Sequence, residues 1–593
     1  MHSRSNSAAA CALAFIIICF NWPVSAQLVR QREADRIAML ERISPSVVCV
    51  MSPDGQGGGS GVLISSDGFA ISNFHVTDGA GPFMKCGLND GKLYDAVIVG
   101  IDPTGDIALI KLTGRDDFPA AIQGNSDQVQ IGDEVVALGN PFLLADDFTP
   151  TVTYGIVSGI HRYQYPAGTF LEYTDCIQID ASINPGNSGG PLFDIRGNWI
   201  GINGRASFEK RGRVNSGAAY AISIRQVQLF IEHLKCGLIA DHGIADFTVE
   251  TLPDGRVVVS QVSEVSEAWR RGLRPQNEVV TFADRLLTSA NDFQNILGIF
   301  PEGTRLPMTW RGRDGMHEAT IRLRPLHAFD KAPPTRGKRR PSDPNDPESP
   351  PDHPETDGEP VVSVPDSLKA MFEDKEGYAN YYFNRIRREA MLDKIRKARI
   401  PESHSGTWVL NGDTGSGPGA RQFELVVGDA GAGFTSFIGP PEDGKGRSWY
   451  QASANIVASD EPPDQYGLLT GALHLRHLLN KLDGNFDDAQ AGGRTVHQPS
   501  GAVVDVLITR SGAMLSRWYF DQKQSFPFGV DITIGEGLDE ARLLFADWAE
   551  SSPTSNEESP ILPGRIGVID SDTEAVRWLN ITEASFRTSG ETR

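Results

Sequence analysis

Residues 177–194 read IQIDASINPGNSGGPLFD. The text is a short apolar run, a turn with Gly186, Gly189 and Gly190 around Ser188, and a second short apolar run. That order is strand, glycine-rich turn, strand. An oxyanion hole needs backbone N–H groups turned toward one point, and glycine removes the side-chain hindrance to that turn. Ser188 is therefore a candidate nucleophile. A serine hydroxyl stays a weak nucleophile until an imidazole accepts its proton and a carboxylate orients that imidazole.

Both partners are found upstream. His75 lies in ISNFHVTDGA (71–80), just after a strand, and Asp106 lies in GDIALIKL (105–112), at the start of one. Any one of the three residues alone reads as structural. The three together, in the order His, Asp, Ser and in these local contexts, point to acyl transfer.

From Ser46 to about Ser223 the text is a series of short strands broken by glycine turns, including VVCV (47–50), FAIS (69–72), IALIKL (107–112), EVVALG (134–139) and WIGI (199–202). Strands without intervening helices predict a sandwich or barrel. QVQLFIEHLK (226–235) has helical periodicity, with Gly237 as its C-cap. A compact α/β module follows over 237–327, with a strand at 257–262, a short helix at 264–271 ending at Gly272, a strand at 278–282 and a helix capped by Ser289. Residues 328–365 form a Pro-rich charged linker without the apolar content to fold. A helical segment is expected over 366–400, with the aromatic-rich GYANYYFNRIRRE (377–389) docking it on a domain. Residues 405–587 return to short strands and form a β-rich domain of unknown function.

The chain has 593 residues, a soft prior of roughly four domains; three and a linker are legible. Hydrophobic residues make up 40% and charged residues 22%, with a net charge of −21, which argues against a nucleic-acid partner. Residues 1–26 have the parts of a secretory signal peptide: Arg4, the apolar stretch 8–20, and Val24-Ser25-Ala26 before Gln27. The apolar stretch of about 13 residues is shorter than the roughly 20 needed to span a bilayer, so no stable membrane insertion is expected and the chain is read as exported, periplasmic or secreted. Cys49, Cys86, Cys176 and Cys236 remain after cleavage, and their spacing fixes neither disulfides nor a metal site.

Residues 44–224 resemble the protease domain of the HtrA/Deg family of exported trypsin-like serine proteases. The resemblance is carried by GSGVLISSDGFAISNFHV (59–76), GDIALIKL, IGDEVVALGNPF (131–142), TVTYGIVSGI (151–160), IQIDASINPGNSGGPLFD and AAYAIS (218–223). It implies a double β-barrel in a mainly β fold over 27–235. It implies His75 as general base, Asp106 as its orienting partner, Ser188 as nucleophile, and an oxyanion hole at Gly186 and Ser188. It puts Ser182 and Ile202 at the substrate pocket. Ser182, six residues before the nucleophile, carries no charge to select Lys or Arg, so small aliphatic side chains are expected before the scissile bond. No Ile-Val-Gly-Gly sequence precedes the domain, so no zymogen cleavage is expected. The loop 143–150, with Leu143 where the family often has Gly and with Asp146 and Asp147, departs from the pattern.

Residues 237–324 resemble the PDZ domain that follows the protease in this family, on VVVSQVSEVSEAWRRGLRPQNEVVTF (257–282) and DFQNILGIFPEGTRLPMTWRGRDG (292–315). PDZ domains take a peptide C-terminus as an added strand. Capture would fall at Gly243–Phe247, with Ile244 and Phe247 against the peptide. Asp246 would repel the terminal carboxylate, so a packing role stands beside it.

The resulting expectation is an exported, ATP-independent serine endopeptidase acting on unfolded or damaged polypeptides, without metal or other cofactor. Related proteases are commonly trimers, but LVRQREADRIAMLERI (28–43) lacks the aromatic contacts expected for that trimer, so the sequence leaves the choice between a homo-oligomer (trimer) and a single chain open. The competing expectation is an envelope or cell-surface binding protein, using the PDZ-like and C-terminal modules, with a latent protease. A third is catalysis regulated through loop 143–150 and the Ser188 turn. His474 and His477, at i, i+3, are expected to be core or surface histidines, and Asn580-Ile581-Thr582 is a glycosylation sequon.

Overall fold

The computed structural model describes residues 27–53, 58–140, 147–164, 172–208, 215–327, 364–397, 406–415, 421–429, 431–437, 446–452, 467–480, 486–498, 500–512, 514–535, 537–550 and 561–587. The signal segment, the linker up to residue 363, Leu143 and Asp146 lie outside them. The chain divides into two units. One is drawn from Met1–Ile98, Gly105–Val227 and Arg336–Ala370, the other from Val99–Thr104, Gln228–Thr335 and Met371–Arg593.

The first unit opens with a helix, α1, over 27–43. Six strands follow: β1 (Val47–Met51), β2 (Gly58–Leu63), β3 (Phe69–Ser72), β4 (Phe83–Gly87), β5 (Leu93–Asp102) and β6 (Ile107–Leu112), with a short helix α2 (Phe74–Ala80) between β3 and β4. They close as a barrel in the order β1-β2-β3-β6-β5-β4. All five residues of β1 are buried, as are all but one of β6; since successive side chains alternate inward and outward, both faces of these strands are covered.

The second barrel uses β7 (Ile122–Gln123), β8 (Glu134–Gly139), β9 (Thr151–Gln164), β10 (Tyr173–Ile179), β11 (Pro191–Asp194), β12 (Asn198–Phe208) and β13 (Asn215–Ser223). Their order is β11-β8-β9-β10-β13-β12-β7, and a further pairing of β11 with β12 closes the ring. Val135, Ala137, Val157, Ile177, Ile179 and Leu192 fill it. Two barrels are the expected architecture. His75 follows strand β3 closely, as the sequence suggested, and stands in the first turn of α2.

In the second unit, residues 247–322 form a sheet in the order Phe247–Thr251, Val257–Val262, Glu278–Phe282, Arg305–Gly312, Gly315–Arg322, with Phe247–Thr251 at an edge. The helix Ala290–Leu297 begins where expected, the Ser289 hydroxyl accepting the Asp292 N–H at 3.1 Å. The 366–400 segment is two helices, Asp366–Lys369 and Tyr381–Lys397, and not one. Asn384, fully buried, donates to the carbonyls of Cys236 at 2.9 Å and Ala491 at 3.0 Å, and the Tyr378 hydroxyl donates to Gln490 at 2.9 Å. The aromatic-rich stretch thus docks a helix, as its composition suggested.

Apart from Ala549–Glu550, which pairs separately with Ile561–Leu562, eleven of the described C-terminal strands make one antiparallel sheet. From edge to edge it runs Gly446–Ala452, Gly431–Phe437, Gln422–Gly428, Thr407–Asp413, Val576–Arg587, Arg565–Ile569, Ala541–Ala546, Pro527–Thr533, Met514–Asp521, Val503–Ser511, Asp488–Val496. Helix Leu468–Asn480 packs on it. Leu468, Leu469, Leu473 and Leu478 have no exposed surface, and Trp408, Trp518 and Phe520 share their core. The helix is covered nearly all round, and its buried polar members are paired, Arg476 with Asp429 and His474 with Ser516.

Buried ion pairs join this sheet to the 247–322 sheet. Arg322 meets Asp531 and, at 2.7 Å, Glu540; Arg305 meets Glu540 at 3.0 Å and is steadied within its own module by Glu267 at 3.0 Å; Arg271 meets Asp539 at 2.9 Å. Burial alone would raise the Glu540 carboxyl, but Arg322, Arg305 and Arg517 outweigh it and hold it well below the carboxylate range. Sequence reading set these modules apart, since charges scattered across some 270 residues carry no periodic signal.

Candidate active site

Asp106 sits at the entry to β6 with φ of +58°, a left-handed conformation that Asp tolerates better than most residues. The turn points its carboxylate inward, where it has no exposed surface. His75 Nδ1 lies 2.8 Å from Oδ2 and 3.0 Å from Oδ1, and the His75 backbone N–H donates to Oδ1 at 3.0 Å. A carboxylate can only accept, so Nδ1 carries the proton and Nε2 is the basic nitrogen. The His75 side chain is 40% exposed, so the ring edge away from Asp106 opens outward. Asn73 fixes the approach, its amide donating to the Asp106 carbonyl at 2.9 Å.

Ser188 lies in a turn braced from both barrels. Its carbonyl accepts the Ser60 N–H at 2.8 Å, and the Ser60 hydroxyl donates to the Gly186 carbonyl at 2.6 Å. Gly189 N–H donates to the Asn203 carbonyl at 2.8 Å, and Asn203 Nδ2 donates to Leu138 and Pro191. Gly186 and Gly189 have φ of +101° and +84°. A Cβ on Gly189 would lie 2.1 Å from the Ser60 carbonyl oxygen, so this glycine is required by contact as well as by conformation. The Ser188 hydroxyl donates to the Gly204 carbonyl at 3.1 Å. Among the described residues, neither the Gly186 nor the Ser188 N–H donates a backbone hydrogen bond.

Of the expected pocket residues, Ser182 is exposed, whereas Ile202 is fully buried between Pro191 of β11 and Ile222 of β13. In the second unit, Ile244 is half-buried and pairs with Arg324, and Phe247 is buried against Phe282 and Phe293. Asp246, at φ of +60°, is not a bare negative charge. Arg324 grips it with both ends of its guanidinium at 2.5 Å. The expected repulsion of a carboxylate is thereby offset, by a partner 78 residues away that local reading could not supply.

The four cysteines are free and buried. Buried His474 has Nδ1 at 2.9 Å from the Ser516 hydroxyl. The Asn580 amide of the sequon donates to Asp413 at 2.8 Å. Among the described residues no group of three His, Cys, Asp or Glu side chains could hold a metal ion. Sequence reasoning missed Ser60, Asn73, Asn203 and Tyr173, whose hydroxyl donates to Asp106 Oδ2. Ser60 and Asn73 stand inside the quoted stretch 59–76, but the contacts of all four come only from where the fold puts them.

A histidine held by a buried aspartate, with a serine in a braced glycine turn on paired β-barrels, defines a trypsin-like peptidase site. Residues 59–202 match the family model described as a trypsin-like peptidase domain. The putative serine protease HhoB of Synechocystis is 31% identical over 292 residues, 46% of this chain and 67% of that protein. The chain belongs to the HtrA-type family of trypsin-like serine proteases. The probable periplasmic serine endoprotease DegP-like of Chlamydia trachomatis is 34% identical over 259 residues, 42% of this chain and 50% of that protein. The chain thus spans about half the length of the first such curated relatives. The solved HtrA-type protease AlgW with tripeptide is 28% identical, covering 50% of this chain and 98% of its own, at a TM-score of 0.41.

Proposed function

We propose that this chain is an exported, ATP-independent serine endopeptidase that hydrolyses unfolded or damaged polypeptides through an acyl-enzyme. The observation that carries the reading is the His75 ring held on the buried Asp106 carboxylate, together with the braced glycine turn that carries Ser188. In the mechanism, Nε2 of His75 takes the Ser188 proton as the hydroxyl attacks the peptide carbonyl. Asp106 holds the tautomer and stabilises the imidazolium, and His75 returns the proton to the leaving amine. The N–H groups of Gly186 and Ser188 receive the developing oxyanion. Uncharged, exposed Ser182 suits a small aliphatic side chain before the scissile bond. The signal-like residues 1–26 and relatives named as periplasmic support export. Among the described residues no helix is long and apolar enough to cross a membrane.

Exposed apolar residues on α1 (Leu28, Val29, Ile37) and β9 (Val152, Tyr154, Ile156) support assembly of copies into a trimer, with Arg36 of α1 stacked 5.5 Å from the Tyr154 ring. Residues 237–327 act as a PDZ-like module, with the edge strand Phe247–Thr251 available for strand addition.

The Ser188 hydrogen bond to Gly204 favours a second, compatible reading in which catalysis is regulated, because the hydroxyl must turn from that carbonyl toward His75. The test is casein cleavage and fluorophosphonate labelling by the purified full chain beside Ser188→Ala. Cleavage and labelling are expected in the parent alone. Equal cleavage by both proteins would end the endopeptidase reading. Full labelling without any added peptide would end the regulated one.

A further inference from the structure

Tyr173 begins β10 and is 2% exposed. Its hydroxyl donates to Oδ2 of Asp106, the same oxygen that lies 2.8 Å from His75 Nδ1. Its ring packs on Gly204, where a Cβ would stand 2.5 Å from Tyr173 Cε1 and 3.0 Å from its hydroxyl oxygen. The carbonyl of Gly204 is the one that receives the Ser188 hydroxyl. One buried side chain thus touches the acid of the triad and the residue that holds the nucleophile.

We propose that Tyr173 is a positioning residue for peptide hydrolysis, setting through Asp106 the basicity and orientation of His75 and, through Gly204, the seat of Ser188. The proposal concerns the site read above as an endopeptidase and deepens that reading. A buried phenol needs an acceptor and a core position can supply one for packing alone, so the claim must rest on electrostatics. The phenol's hydrogen bond to a carboxylate is charge-assisted and takes up part of its negative charge. Without it, more of that charge faces His75 Nδ1, the imidazolium is favoured, and the histidine protonates at higher pH. The carboxylate also loses one of the contacts that fix its plane, and a misaligned base lowers the rate of proton transfer without changing substrate contacts.

The test substitutes Tyr173→Phe in the full chain, which keeps the ring on Gly204 and deletes only the donor. Fluorotyrosine at 173, a stronger donor of nearly the same size, is the second variant. The His75 imidazole titration is followed by NMR, assigned by its disappearance in His75→Gln, beside kcat and KM for a peptide substrate. Tyr173→Phe is expected to raise the titration midpoint by about half a pH unit and to lower kcat about tenfold with KM little changed; fluorotyrosine is expected to lower the midpoint. A midpoint unmoved by both variants overturns the proposal. An upward shift in a parent protein that neither cleaves casein nor reacts with the fluorophosphonate keeps the Tyr173–Asp106–His75 coupling and removes the endopeptidase reading.

Discussion

The Ser188 turn shows how little freedom one residue has beside a nucleophile. Gly189 combines a left-handed φ with backbone at 2.1 Å from any Cβ, so a methyl group there must push the Ser60 strand or the nucleophile itself. Gly189→Ala is expected to reduce fluorophosphonate labelling at least a hundredfold while leaving far-UV circular dichroism unchanged; labelling within threefold of the parent would contradict the contact argument. The glycines of NPGNSGG announce this in the sequence, because glycine is the residue such a turn requires. Tyr173 announces nothing. An aromatic residue at a strand start has many ordinary uses, and only the fold reveals the aspartate it meets, 67 residues away.

At the scale of single elements, strand by strand legibility was high in both barrels, where β-branched runs end at glycine turns. EVVALG is β8 and FAIS is β3 residue for residue. Helix Leu468–Asn480 was less legible, since total burial erases the periodicity that marks a one-sided helix. Its His474 is pushed down to about 3 by burial, with His477 adding to the effect. His233 and His497 are likewise held at about 4 by burial. Each is neutral when folded and charges near pH 6.5 when unfolded, so stability is complete above 6.5 and falls as the pH drops toward the folded values. Between pH 6 and 5, His474→Leu is expected to reduce the pH slope of the urea-unfolding free energy by about one proton, or about 1.4 kcal/mol per pH unit. An unchanged slope would show that the histidine is solvated in the native protein.

At the scale of the whole molecule, the 247–322 sheet and the C-terminal sheet share a seam of charges more buried than their separate sequences suggest. Asp531 would be raised by burial, yet Arg322 and Arg542 keep it below its ordinary value, as Arg322, Arg305 and Arg517 do Glu540. Carboxylates depressed by folding lend stability above their unfolded values near 4.5 and lose it as the pH falls below them. Arg322→Met removes one cation from two buried carboxylates, which keep Arg305 and Arg542, so a loss of about 3 kcal/mol in urea unfolding, the low end for a broken buried pair, is expected, together with acid unfolding at a higher pH. A loss below about 1 kcal/mol would mean that water reaches the seam. A seam of this kind is invisible to local reading, since its members are ordinary surface residue types until the sheets meet.

The four shielded thiols have a consequence for the surroundings the folded chain tolerates. Burial pushes Cys49 and Cys236 up to about 11 and Cys86 and Cys176 higher still, so almost no thiolate is present at neutral pH. Thiol exchange proceeds through thiolate, so the native protein offers neither an oxidant nor a reductant a point of attack. Among the described residues no disulfide ties the fold together, so once folded the native state is indifferent to whether its surroundings are reducing or oxidising.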